Sequence, residues 1–271
     1  MSLNTLLKVG AVSLPKVEQA AAWMIEHGPI IENPELPTWV LRTLVRQNRI
    51  ARLRRGVYAV PDAQGQLRLS PFAVGELVEP GSIVSFHAAL AYWNVTDQIP
   101  RRIGVLSKKR HSPVAFGTQT VLFLARPRAL KRAEFMITKI GDQTLRVATP
   151  AQAFIDALSS PPLAVSPAEL LTILVHGLAT KILTPTGLRR RALADGSLVV
   201  ARRLGFLLEL ATGQTDSALL ERARSSHAYS SFDGPEDQRA THAVPRWLLR
   251  TPAAPERMQA AAGVRISATK A

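Results

Sequence analysis

Six arginines, Arg42, Arg46, Arg49, Arg52, Arg54 and Arg55, fall within fourteen positions, and no acidic residue interrupts them. A guanidinium stays charged at any physiological pH. Its planar fork of donors suits phosphate oxygens and the O6/N7 edge of guanine. Thr38, Arg42, Arg46 and Arg49 stand at i, i+4, i+8 and i+11, which places them on one face of a helix. That face lies opposite an apolar stripe of Trp39, Val40, Leu41, Leu44 and Val45. A helix buried on one side and lined with arginine on the other fits a major groove. Arg54-Arg55-Gly56 then reads as a hairpin tip whose two arginines reach the flanking backbone or the minor groove. The bland alternative is a solvated basic helix face. It leaves the uninterrupted run, and the tight basic hairpin after it, without a reason.

A second cluster comprises Arg101, Arg102, Lys108, Lys109 and Arg110, split by the strand-like Ile103–Ser107. It extends a DNA-binding surface, meets an acidic protein, or guards an edge strand against aggregation. Arg189-Arg190-Arg191 and Arg202-Arg203 read as charges on helix surfaces. The six histidines show no metal-ligand spacing, and no cysteine is present to supply a thiolate or a disulfide. His87 opens an Ala-rich helix and reads as a structural or capping residue. Ser85 lacks a GxSxG setting, and neither a Walker A sequence nor GxGxxG occurs. Asp233, Glu236 and Asp237 read as solvated loop carboxylates. No catalytic residue, metal or cofactor is therefore expected. An enzyme or RNA-processing factor would need a dispersed set such as His87 with Asp156. A protein-interaction module would need only the basic surface.

These residues must be held by elements, and hydrophobic period and capping signals predict them. Residues 16–27 and 37–48 read as helices, the second with Pro37 at its start, and residues 50–60 as a short hairpin. Helices followed by a hairpin is the order of a winged helix–turn–helix. A polar stretch at 62–70 reads as a linker. Short helices follow at 71–78 and 85–94, then strands at 103–107, 120–125, 135–140 and 144–148. Helices are predicted at 150–159, 167–178, 186–194, 198–211 and 216–225; Thr149/Gln152 and Ser166/Glu169 have capping-box spacing. The remainder, rich in Pro, Ser and charge, predicts loose structure, with Trp247 as a possible anchor. The fold class is thus α+β: a winged helix–turn–helix at 1–62, a mixed domain at 71–228, and a tail at 229–271.

The chain has 271 residues, enough for a sizeable core without staples, and a net charge of +14. That surplus points to a polyanionic partner, with nucleic acid first. No apolar run approaches the roughly 20 residues of a membrane span, and the first residues lack the pattern of a signal peptide. A soluble cytoplasmic protein without a membrane partner is expected.

The run LRTLVRQNRIARLRRGVYAVP (41–61) resembles the end of the winged-helix domain of AbiEi-type antitoxins from type IV toxin–antitoxin systems. There a leucine/arginine recognition helix precedes a wing of the form R-x-x-RGVY, here Arg52, Arg55, Gly56, Val57 and Tyr58. SFHAALAYWNVTDQIPRRIGVLSKKR (85–110) resembles the opening of that family's second domain, and TPAQAFIDAL (149–158) one of its later helices. The resemblance spans roughly 15–210. It implies a DNA-binding repressor of its own promoter. It also implies a second domain that counteracts a nucleotidyltransferase-like toxin without forming a stable complex.

Overall fold

The computed structural model describes residues 13–62, 69–116, 118–141, 143–159, 165–232 and 242–264. Helix α1 (Ser13–Glu26) buries Val17, Ala20, Ala21 and Met24, the helical-period positions of its sequence. Gly28 ends it with φ +112°, a conformation that a side chain would resist. Strand β1 (Ile30–Glu32) follows, then helix α2 (Thr38–Arg46), started by Pro37 and burying Val40, Leu41 and Leu44. Helix α2 stops short of the predicted residue 48, because Asn48 adopts φ +55°. Strands β2 (Ala51–Arg54) and β3 (Val57–Ala59) form the expected hairpin, and β1 adds to β3 in a sheet of order β1-β3-β2.

The hairpin is shared between two cores. Ile50, Tyr58 and Val60 pack with Val17, Met24, Val40 and Leu44. Leu53, Val57 and Ala59 join the large core formed by the rest of the chain. The linker predicted at 62–70 lies mostly outside the described residues.

A single turn of 3-10 helix at Pro71–Ala73 leads into α3 (Val74–Val78). Strand β4 (Ile83–Val84) enters α4 (Phe86–Tyr92), and β5 (Arg102–Ser107), β6 (Val114–Phe116) and β7 (Gln119–Ala125) follow. After α5 (Pro127–Arg132), β8 (Phe135–Ile140) and β9 (Gln143–Ala148) complete a six-stranded mixed sheet of order β6-β7-β5-β4-β9-β8. Strand β5 is parallel to β7 and antiparallel to β4, so it lies inside the sheet and is no edge strand. Helices α6 (Pro150–Ser159), α7 (Pro167–Ala179), α8 (Pro185–Asp195), α9 (Leu198–Thr212) and α10 (Ser217–Ala223) match the sequence periodicity closely. Ser166 and Glu169 form the full capping box. Thr149 caps the Gln152 N–H, but the Gln152 side chain turns to Asp156 and to the Glu134 N–H instead.

Two expectations fail in this part of the chain. Residues 242–264 are folded, where composition predicted a loose tail. Strands β10 (Ser230–Ser231), β11 (His242–Val244) and β12 (Leu249–Thr251) form a small sheet, and α11 (Pro255–Ala261) packs beside α7. Trp247 is 1% exposed and fills the space left by Gly205 on α9, while its Nε1 donates to Glu209 at 2.5 Å. Arg191, Arg202 and Arg203 are buried rather than on a helix surface. Arg202 donates to the carbonyls of Ala223, Ser226 and Ala228, and Arg203 to those of Leu158 and Ser231. Arg202 and Arg203 both serve as cross-braces that tie α9 to the backbone of distant segments.

Candidate nucleic-acid interface

The exposed face of α2 and the outer face of the hairpin form the two walls of an open groove of about 650 Å³. Thr38, Arg42 and Arg46 stand on the α2 wall, and Arg52 and Arg55 on the hairpin wall. Leu41, Val45 and Tyr58 also line it. Among the described residues, Arg42, Arg46, Arg52 and Arg55 have no hydrogen-bond or ion-pair partner, and all four are exposed. Four uncompensated guanidinium groups around one concavity set up a local positive potential suited to a phosphate backbone.

Gly56 determines the shape of the hairpin tip. It adopts φ +79°, and a Cβ there would come within 2.2 Å of Asn33 Oδ1. The Asn33 N–H donates to the Gly56 carbonyl at 2.5 Å, so the tip is held against the chain that leads into α2. Asn33 itself has φ +45°, which asparagine tolerates better than most residues. Tyr58 belongs to the RGVY wing of the sequence, whereas nothing in the local pattern marks Asn33, because its role comes from a contact with Gly56 across the sheet.

The other two predicted arginines point elsewhere. Arg49 lies beyond the turn at Asn48, outside the helical repeat, and pairs with Glu18 of α1 at 2.6 Å. A β-bulge between Arg52 and Arg54 breaks the two-residue alternation that would have put them on one face. Arg54 therefore turns inward, donates from Nε to the Leu77 carbonyl at 3.0 Å, and lies 3.9 Å from Glu32. The second basic cluster is also divided. Arg101 and Arg102 sit at the start of β5, and Lys108, Lys109 and Arg110 beyond its end, roughly 20 Å away at 3.3 Å per residue.

The dispersed His87–Asp156 set is not formed. Asp156 is 3% exposed and accepts hydrogen bonds from Ser85 Oγ at 2.5 Å and Gln152 Nε2 at 2.9 Å. Burial pushes its carboxyl up to about 6, against the opposing pull of those two bonds. His87 Nε2 is buried without a hydrogen-bond partner, and burial lowers the imidazole pKa against the attraction of Glu169. Asp233, Glu236 and Asp237 lie outside the described residues. Among the described residues no group of three His, Asp or Glu side chains could hold a metal ion, and no helix is long and apolar enough to cross a membrane. No protein-family model matches the chain, and no curated relative is found.

Proposed function

We propose that residues 13–60 form a winged helix–turn–helix unit that binds double-stranded DNA at the gene's own promoter, and that the protein is a transcriptional repressor. The observation that carries this reading is the groove between α2 and the hairpin, with Arg42, Arg46, Arg52 and Arg55 around it and without partners among the described residues. Helix α2 is the recognition helix, and Arg42 and Arg46 reach base edges or phosphates. The β2–β3 hairpin is the wing, with Arg52 and Arg55 on the flanking backbone. The sheet order β1-β3-β2 supports the assignment. One departure from a three-helix plan stands out. Between α1 and α2 the described chain has a strand and a turn, so Asn33–Pro37 rather than a helix sets the angle of α2.

The antitoxin role follows from the sequence resemblance alone. On that reading the larger α+β part counteracts a nucleotidyltransferase-like toxin without a stable complex. The competing enzyme reading gains no support at Ser85, His87 and Asp156, where both residues of the Ser85–Asp156 hydrogen bond are closed off from solvent.

The test is binding to a labelled duplex from the gene's upstream region, with unrelated duplex and RNA as competitors. Retention that survives unrelated competitor and is lost in Arg42→Ala/Arg46→Ala supports a promoter-binding repressor. Equal, weak retention on every duplex refutes it, and preference for the RNA competitor does so equally.

A further inference from the structure

Where α3 ends, the segment Leu77–Glu79 holds two basic elements at once. On one side the Leu77 carbonyl accepts Arg54 Nε at 3.0 Å, which fixes the base of the hairpin tip. On the other, the Glu79 carboxylate accepts the backbone N–H groups of Lys108 and Lys109 at 2.5 and 3.3 Å. His111 Nε2 lies 2.5 Å from the same carboxylate. Ser107 Oγ donates to the Lys109 carbonyl at 2.8 Å, and the His111 ring stands edge-on to Phe123.

The backbone of this loop is thus pinned from several sides. Burial works to raise the Glu79 pKa, but the bonds from Lys108, His111 and Lys109 outweigh it and hold the carboxyl below its ordinary value. Glu79 is occupied in anchoring backbone and His111. Lys108, Lys109 and Arg110 are all exposed, with no ion-pair partner among the described residues. A second open groove, of about 420 Å³, runs from Arg52, Arg54 and Arg55 on the hairpin to His111 and Ser112 on the loop, and no acidic residue lines it. The two grooves share Arg52 and Arg55, and the second ends on His111 and Ser112, which directly follow Lys108–Arg110 in the chain.

We propose that Lys108, Lys109 and Arg110 form a second phosphate-contacting element, set at a fixed spacing from the hairpin arginines, that lengthens the footprint on double-stranded DNA. This rests on the reading of the α2–hairpin groove as a DNA interface. The short anchor at Leu77–Glu79 is what makes the two elements act together. Preorganised backbone lowers the ordering cost of contact, and three phosphates neutralised release about three counterions. Glu79 is a positioning residue and does not touch the DNA.

The test uses the full-length protein, and fluorescence anisotropy across a salt series on two upstream duplexes. One spans the whole surface, and the other is trimmed to the part covered by α2 and the hairpin. Lys108→Ala/Lys109→Ala/Arg110→Ala should flatten the log–log salt slope by about 2 to 3 on the long duplex, with no difference from the parent on the short one. Glu79→Gln, which keeps the side-chain size but loses one acceptor, should flatten it partly. The melting temperature of the triple variant should be unchanged. If the triple variant keeps the parent slope on the long duplex while Arg52→Ala/Arg55→Ala flattens it, the loop element is wrong and the hairpin assignment stands. If neither set changes the slope, the underlying DNA reading is wrong.

Discussion

The groove makes a prediction that discriminates among arginines adjacent in sequence. Arg42, Arg46, Arg52 and Arg55 have no partner among the described residues, whereas Arg49 is held by Glu18 and Arg54 by the Leu77 carbonyl. Each phosphate neutralised on duplex DNA contributes about 0.9 to the slope of log K against log salt. Four free guanidinium groups therefore account for at most about 3.6 of that slope. Between 50 and 200 mM salt, a fourfold change, this amounts to about 150-fold in affinity. Replacing all four with alanine should abolish that part of the salt dependence, and Arg55→Ala alone should lower the slope by about 1. Arg54→Ala should leave the slope near the parent value and instead cost about 1 kcal/mol of stability through the lost bond to Leu77. Arg49→Ala should do little to either, because an exposed ion pair contributes about 0–1 kcal/mol. Anisotropy titrations at four or five salt concentrations and urea denaturation of each variant measure both quantities. Arg54→Ala or Arg49→Ala flattening the slope as much as Arg55→Ala would refute the argument, since pairing in the fold would then not decide which arginines reach DNA.

Two further predictions concern the core. Asp156 has its folded-state pKa raised from 3.8 to about 6 by burial, so the folded protein binds this proton more tightly than the unfolded chain. The stability it contributes is fully present below about pH 4 and is lost as the pH rises through about 6, a difference of about 3 kcal/mol. Asp156→Asn removes this dependence. Its stability relative to the parent should improve by about that amount between pH 4 and pH 8 in urea denaturation, and a pH-independent difference would contradict the assignment. Gly205→Ala would place a Cβ 2.1 Å from the Trp247 ring and displace it. The expected cost is about 3–5 kcal/mol, comparable to truncating a buried tryptophan, with a red shift in tryptophan emission. A variant as stable as the parent would show that the packing of residues 242–264 is not held by this slot.

The sequence alone determined the order and extent of most elements. Amphipathic period and capping signals are local properties, and they located α6 through α10 and the β2–β3 hairpin to within a residue or two. It also determined that α2 carries arginine on the face opposite Val40, Leu41 and Leu44, since that follows from a 3.6-residue repeat. Trp247 as an anchor was legible from its size and isolation, although its socket at Gly205, some forty positions earlier, was not.

Only tertiary structure decided which charges are free. Arg52 and Arg54 look equivalent in a two-residue repeat, and a one-residue bulge separates them into a groove residue and a brace. Arg202 and Arg203 read like any surface pair, because the carbonyls that receive them come from Leu158 and from residues 223–231. Glu79 carries no local signal at all; its meaning comes from Lys108, Lys109 and His111, about thirty positions away. Composition sets how much positive charge the chain holds. Which of that charge is left to meet a partner is set by long-range pairing, and no sequence window contains both members of those pairs.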